Sequence, residues 1–250
     1  MAMQKPLLPS MWQVPQIFRD RLGDKVGRQR AMFAEDHLLL VLHQPPSADN
    51  ADRSARFIWR QPDGAWVSTD VGGGAAAVGR HLKEYEDLLD VLEDLETKAQ
   101  GSSQYFDLLE RLAPLLRSSR HLHQVLQEAR KLVPEDRNII NHRDRAYDLE
   151  RTAELLYNNC KHALDYEIAK RTEQQAQASH LMAVSSHRLN MLVSFFFPIA
   201  TLSAIFGVNL KHGLEENAAP GSFLMLVAIG LIFGAMLTSF IMWRPSKTSS

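Results

Sequence analysis

The feature that most constrains the fold is the stretch from Glu135 to Phe206, which contains no glycine and a single proline, Pro198. Because glycine and proline most often end a helix, the stretch predicts one continuous helix of about 70 residues. At 1.5 Å per residue it would extend for roughly 105 Å, too long for an ordinary globular helix. We predict a stalk helix over 135–188 that continues into an apolar segment.

Two patterns along the stalk indicate its surroundings. Apolar and small residues recur at 4-3-4-3 spacing, which predicts a coiled-coil seam. The positions are Leu149, Ala153, Leu156, Cys160 and Ala163. The following run "KRTEQQAQASH" (170–180) is almost wholly polar. Such a helix faces solvent or a water-filled space within an oligomer.

The C-terminal third of the chain contains two apolar runs without charged residues. Each run is long enough for a hydrocarbon layer of about 30 Å. The second contains Gly230 and Gly234, a Gly-x-x-x-Gly pair that favours close helix packing. The predicted order is a first span over 189–207, a loop over 208–221, a second span over 222–243 and a tail over 244–250.

Charge predicts the orientation of these spans. Arg188 precedes the first span, and Arg244 and Lys247 follow the second. The loop over 208–221 has only Lys211, which two glutamates outweigh. The positive-inside rule then predicts that both termini are cytoplasmic and that the loop lies outside.

The N-terminal region, 1–134, predicts a cytosolic domain with a small sheet followed by helices. The apolar run 37–46 ends in two prolines and predicts a buried strand, and Asp63-Gly64 predicts a hairpin. Three glycines at 72–74 are not followed by the Lys-Ser/Thr of a phosphate loop, so we interpret them as a connection. The predicted fold class is α+β for this domain and mainly α for the whole chain.

Composition excludes several function classes. The net charge is −1, so no basic field points to nucleic acid. The single cysteine, Cys160, permits no intrachain disulfide and fits a reducing compartment. No nucleophile constellation, metal-ligand motif or phosphate loop occurs, so we expect neither enzymatic activity nor a cofactor.

The first span carries a polar stripe. Asn190, Ser194 and Thr201 lie at intervals of four and seven, near one helical face, and Phe197 and Ala204 extend that face. Two spans are too few to enclose a pore, so a conducting protein of this kind would have to oligomerise around an axis. Two alternatives stay open: in one, the hydroxyls bond back to their own helix and have no other role, and in the other, Gly207-Val208-Asn209 ends the helix.

These features resemble the CorA family of divalent-cation channels and transporters. The resemblance lies in a long helix entering a first span, Gly207-Val208-Asn209 at its outer end, a short acidic loop, a second span and a basic tail. The family motif is Gly-Met-Asn, so Val208 departs from it. Related zinc-transporting members, such as the ZntB group, also vary that middle position.

The resemblance implies a homopentamer in the inner membrane that transports Mg²⁺, or alternatively Zn²⁺, Co²⁺ or Ni²⁺. It implies that Asn209 side chains ring the outer mouth and bind a hydrated cation, that Gly207 permits the turn that presents them, and that Glu215 and Glu216 attract cations. A membrane-anchored coiled-coil protein that conducts nothing is the alternative from another class.

His180 and His187 lie one heptad apart on the helix that leads into the first span. In an oligomer such a pair would ring the axis and bind Zn²⁺. The alternative is that both histidines are simply polar positions of the stalk.

Overall fold

The computed structural model describes residues 7–46, 54–207 and 221–243 of the 250-residue chain. The elements in chain order are α1 (Gln16–Asp20), β1 (Arg30–Ala34), β2 (His37–His43), β3 (Ala55–Arg60), β4 (Trp66–Ser68), α2 (Ala77–Lys98), α3 (Ser102–Leu132), α4 (Arg137–Gly207) and α5 (Gly221–Trp243). The chain divides into two compact units, residues 1–169 and 170–250, and α4 contributes to both. The predicted fold class is confirmed: a small sheet, helices and one helix of 71 residues.

The sheet is an antiparallel meander of four strands in the order β1-β2-β3-β4. The predicted buried strand is β2, and the predicted hairpin joins β3 to β4. In this turn Gly64 has a φ of +85°, and its N–H donates to the Gln61 carbonyl at 3.0 Å. The Asp63 carboxylate accepts the N–H of Ala65 at 2.9 Å, which explains the preference for Asp-Gly here.

Strand β2 is apolar on both faces because both faces are covered. One face contributes to the main core, together with neighbouring strands: Leu38, Leu40, Leu42, Ile58 and Trp66. The opposite face packs with the N-terminal segment in a second cluster: Leu8, Trp12, Phe18, Met32, Leu39, Val41, Phe57 and Trp59. A strand buried on both sides reads as a continuous apolar run instead of an alternating one.

Two helices cover the main-core face of the sheet. Gly101, with a φ of +87°, separates α2 from α3. Pro114 lies inside α3, which continues through it as one helix. Their buried side chains include Leu82, Tyr85, Leu89 and Leu92 on α2, and Leu108, Leu112, Leu115, Leu122, Val125 and Leu126 on α3.

The 4-3-4-3 stripe of α4 packs inside its own chain. Leu149, Ala153, Leu156 and Cys160 are buried in the main core, and Ala163 is half-buried. The prediction of a coiled-coil seam is therefore wrong for these positions. Heptad spacing and the spacing of an ordinary helix packed on its neighbours differ too little over so short a stretch.

An arginine of the same unit binds the carbonyls of the glycine-rich connection at 72–74. The Arg80 guanidinium donates to the carbonyls of Val71 and Gly73, the latter at 2.7 Å. Gly72 and Gly74 have φ values of +74° and +86°. A phosphate loop directs N–H groups at its ligand, whereas this loop directs two carbonyls at a cation. This geometry supports the interpretation of the three glycines as a connection and not as a phosphate loop.

A buried guanidinium joins the sheet to α2. Arg56 of β3 bonds both oxygens of Asp70, Nε to Oδ1 at 2.8 Å and Nη2 to Oδ2 at 2.9 Å. Its Nη1 donates to Glu84 Oε2 at 2.8 Å and to His81 Nδ1 at 2.7 Å. Because Nδ1 accepts this bond, the proton of the neutral His81 ring is on Nε2.

This environment keeps His81 uncharged. Burial, and then the positive charge of Arg56, lowers the pKa of His81 to about 3. Burial would raise the pKa of Asp70, but its hydrogen bond and ion pair with Arg56 outweigh burial and hold that pKa below its usual value. The stability that a neutral His81 contributes is complete above the pKa of an unfolded histidine and is lost as pH falls.

We expect acid to destabilise the protein through His81. Between pH 6.5 and pH 5 this residue should lower the free energy of unfolding by about 1–2 kcal/mol, since the unfolded chain binds a proton that the folded chain does not. His81→Gln should therefore flatten the pH dependence of unfolding by denaturant, followed by tryptophan fluorescence on the full chain in detergent. The exposed His162→Gln is the control and should keep the wild-type slope. Equal slopes for His81→Gln and wild type would contradict this account.

Candidate functional site

The C-terminal part of α4 is suited to a membrane. Among the described residues, α4 is the one helix that is long and apolar enough to span a bilayer. Its most apolar window has a mean hydropathy of 1.5, and none of that window is buried inside the protein. A core helix of a soluble domain would be buried, and a signal segment would lie near the N-terminus. The predicted second span falls on α5, where the apolar stretch found in the described part covers 227–239.

Helix α5 packs against α4 through two glycines one turn apart. A Cβ at Gly230 would approach the Ile199 side chain to 2.9 Å and its Cα to 3.3 Å. A Cβ at Gly234 would overlap the backbone carbonyl oxygen of Phe195. Both glycines are buried, although most of the α5 residues whose burial is described are exposed. The predicted close packing of the Gly-x-x-x-Gly pair is confirmed, and its partner is α4 of the same chain.

Helix α5 covers one face of α4 and leaves the polar stripe largely uncovered. The half-buried residues on this part of α4 recur at helical spacing: Met191, Ser194, Phe195, Pro198, Ile199 and Leu202. Asn190, Phe197, Thr201 and Ala204 are exposed, and Ser194 lies at the edge of the covered face. At 100° per residue, Asn190, Ser194 and Thr201 span about 40° of the helix surface, and the covered face is centred roughly a quarter turn away.

The stripe presents hydrogen-bond acceptors. The Thr201 hydroxyl donates to the Phe197 carbonyl at 2.8 Å, the back-bond that the sequence left open as an alternative role. A hydroxyl whose proton is used in this way still has its oxygen lone pairs to accept from outside the helix. Pro198 has no N–H, so the carbonyl of Ser194 lacks its usual helical donor. Water or hydrated ions would satisfy such groups, whereas lipid would not.

Of the predicted site residues at the outer end of the first span, only Gly207 lies among the described residues. Gly207 is the last residue of α4. Val208, Asn209, Glu215 and Glu216 lie outside the described residues, so their roles stay predictions.

His180 and His187 are exposed on α4. No group of three or more His, Cys, Asp or Glu side chains in the described ranges could hold a metal ion. Because a structural zinc site needs four ligands, the two histidines of one chain do not form a zinc site unless other chains contribute.

Sequence reasoning missed the α4 side of the helix contact. Phe195 and Ile199 contact the two glycines of α5. An aromatic and a branched residue four positions apart occur on many apolar helices, so this pair alone does not predict a helix contact. The signal that was available, the spacing of Gly230 and Gly234, indicates close packing without naming the partner.

Comparison with known proteins gives similarity in structure only. No protein-family model and no curated protein sequence matches the chain. The structure of the full-length CmaX protein aligns over 92% of this chain and 82% of its own, with a TM-score of 0.57 and 14% identity. The cytoplasmic domain of ZntB from Vibrio parahaemolyticus RIMD 2210633 aligns over 64% of this chain and 80% of its own, with a TM-score of 0.53 and 16% identity. The complete CorA magnesium transporter from Methanocaldococcus jannaschii aligns over 88% and 82%, with a TM-score of 0.41 and 15% identity.

The chain has the fold of CmaX and of the ZntB cytoplasmic domain. The resemblance drawn from the sequence named the ZntB group among its relatives, and it is confirmed at the level of the fold. The alignment with CmaX covers 92% of this chain and so includes parts of both units.

We expect Gly234→Ala to weaken the contact between α5 and α4. The added methyl group overlaps the Phe195 carbonyl, which is backbone and cannot rotate away, so the change should cost about 1–3 kcal/mol. The thermal unfolding midpoint of the purified chain in detergent should fall. Gly221→Ala is the matched control because a Cβ there meets no atom within 4 Å. Equal midpoints for the two variants would show that the glycine contact is not needed.

Proposed function

We propose that this protein is a homo-oligomeric transporter of a divalent metal cation, with Mg²⁺ as the leading ion. The observation that carries the proposal is the polar stripe of Asn190, Ser194 and Thr201 on a helix suited to a membrane, mostly uncovered by α5. Polar groups inside a bilayer normally face a bundle interior or a water-filled cavity. Symmetry around a central axis would place the stripes of several chains together.

The outer mouth of the path is assigned to Gly207-Val208-Asn209 through the CorA-like motif. Mg²⁺ dehydrates reluctantly and usually keeps several of its waters. A ring of neutral Asn209 amides would accept hydrogen bonds from those waters without holding the ion too tightly to release it. Glu215 and Glu216 would raise the local concentration of cations at the mouth.

The same proposal includes a homopentamer in the inner membrane, with α4 and α5 as the two spans and both termini in the cytoplasm. The fold shared with CmaX and the ZntB cytoplasmic domain supports membership of this class of protein, and the charge distribution supports the orientation. Val208, which stands where the family has methionine, keeps Zn²⁺, Co²⁺ and Ni²⁺ as alternative ions.

We expect Asn209→Ala to abolish most divalent-cation uptake into proteoliposomes or to remove its selectivity. The variant loses the amide oxygens that bind the hydrated ion, while the apolar helices remain. Uptake of Mg²⁺, Zn²⁺, Co²⁺ and Ni²⁺ is measured in parallel, which also ranks the ions. Asn159→Ala, at an exposed position of the N-terminal unit, is the control and should transport as wild type does.

Two results would contradict the proposal. One is unchanged flux and ion preference in Asn209→Ala. The other is a stable monomer or dimer when the mass of the purified protein is measured in detergent, because neither species can enclose an axial path. Absence of any flux in a well-folded oligomer would favour the non-conducting membrane anchor instead.

A further inference from the structure

A basic cleft lies in the N-terminal unit, between the loop that precedes β1 and the C-terminal half of α3. Its volume is about 690 Å³. Its ionisable lining residues are Arg21, Lys25, Arg28, Arg30, His121 and Glu128. Four full positive charges thus face one carboxylate, in a chain whose net charge is −1. The positive charge is therefore a local property of this cleft and not of the chain as a whole.

The charges of the cleft are not neutralised within the described structure. Arg21, Lys25 and Arg28 form no ion pair with a carboxylate among the residues that the structure describes. Arginines elsewhere in the same unit do form such pairs: Arg56 with Asp70 and Glu84, Arg60 with Asp136, Arg120 with Glu150 and Glu154, and Arg145 with Glu86. All three side chains are exposed, so a dissolved anion can reach them, and a bound anion would reduce the repulsion between them.

The loop that carries these charges is held in place. The His43 Nε2–H donates to the Gly27 carbonyl at 3.0 Å. The Arg30 guanidinium donates to the carbonyls of Val26 at 3.2 Å and Arg28 at 3.1 Å. These bonds fix the backbone of the loop at residues 26–28, which lowers the cost of ordering this wall of the cleft when a ligand binds.

A buried side chain fixes the loop to α3. Gln29 is 7% exposed, and its Nε2 donates to the Ser118 carbonyl at 3.0 Å. Because a backbone carbonyl can only accept, this bond also fixes the orientation of the amide. The two walls of the cleft, the loop and α3, are thus joined at its base.

We propose that this cleft binds a soluble phosphate-bearing anion with two or more negative charges, of the pyrophosphate or nucleoside polyphosphate class. Guanidinium groups match the geometry of phosphate oxygens and bind them in pairs. The volume falls within the range of about 300–1,000 Å³ that is usual for small-molecule sites and exceeds what a monatomic anion would fill. The site lies in the N-terminal unit and does not depend on the proposed transport function.

The test is titration calorimetry of pyrophosphate and of ATP into the full chain in detergent, with a metal chelator present so that no metal complex forms. We expect saturable binding that weakens by about tenfold or more in the double variant Arg21→Gln, Arg28→Gln, because charged hydrogen bonds are lost. Lys131→Gln with Lys161→Gln removes the same charge at exposed positions outside the cleft and should bind as wild type does.

A second variant tests the opposite sign. Glu128→Gln removes the one carboxylate of the lining, so it should tighten binding severalfold. Absence of saturable binding, equal weakening in the control pair, or an unchanged affinity in Glu128→Gln would overturn the proposal. Binding to phosphatidylglycerol vesicles without binding to either soluble anion would overturn it as well, because the site would then be a membrane contact.

Discussion

The unbroken backbone of α4 is the constraint on which both units depend. One helix from Arg137 to Gly207 supplies buried residues to the core of the first unit and an apolar, unburied segment to the second. The N-terminal part of α4 packs into the main core through Leu149, Ala153 and Cys160. Its C-terminal part packs against α5 through Phe195 and Ile199. Because no glycine interrupts α4, the α+β fold and the apolar, unburied segment share one continuous helix, as expected of a stalk that enters a bilayer.

In the second unit, α4 has one face that packs closely against α5 and an adjacent face that carries exposed polar groups. At the covered face, α5 brings glycines against Phe195 and Ile199, so close that no Cβ fits at Gly234. Next to it, an exposed stripe carries an amide and a hydroxyl, Asn190 and Thr201, which lipid does not satisfy. Close packing on one face leaves the adjacent face available for other copies of the chain, and this is the physical basis for proposing an axial path.

Local sequence patterns correctly predicted those elements whose structure depends on residues that are near one another along the chain. The long helix, strand β2 and the Asp63-Gly64 hairpin all follow from such patterns. The prediction of a coiled-coil seam was wrong because residue spacing identifies a buried stripe but does not show which part of the protein packs against it. The cluster around Arg56 and the basic cleft were missed because each unites residues that are far apart in sequence, such as Arg28 and Glu128. Asn209 stays a prediction from a motif.

The central claim is that the exposed stripe of α4 borders an aqueous cation path, and thiol accessibility tests it most directly. Single substitutions Asn190→Cys and Thr201→Cys are made in a Cys160→Ala chain, with Phe196→Cys and Ser203→Cys as controls on the far side of the helix. A cationic, water-soluble thiol reagent is applied to the protein in proteoliposomes. The account predicts rapid modification at 190 and 201, with loss of divalent-cation uptake, and slow modification at 196 and 203. Equal rates at all four positions, or faster modification of the controls, would contradict it.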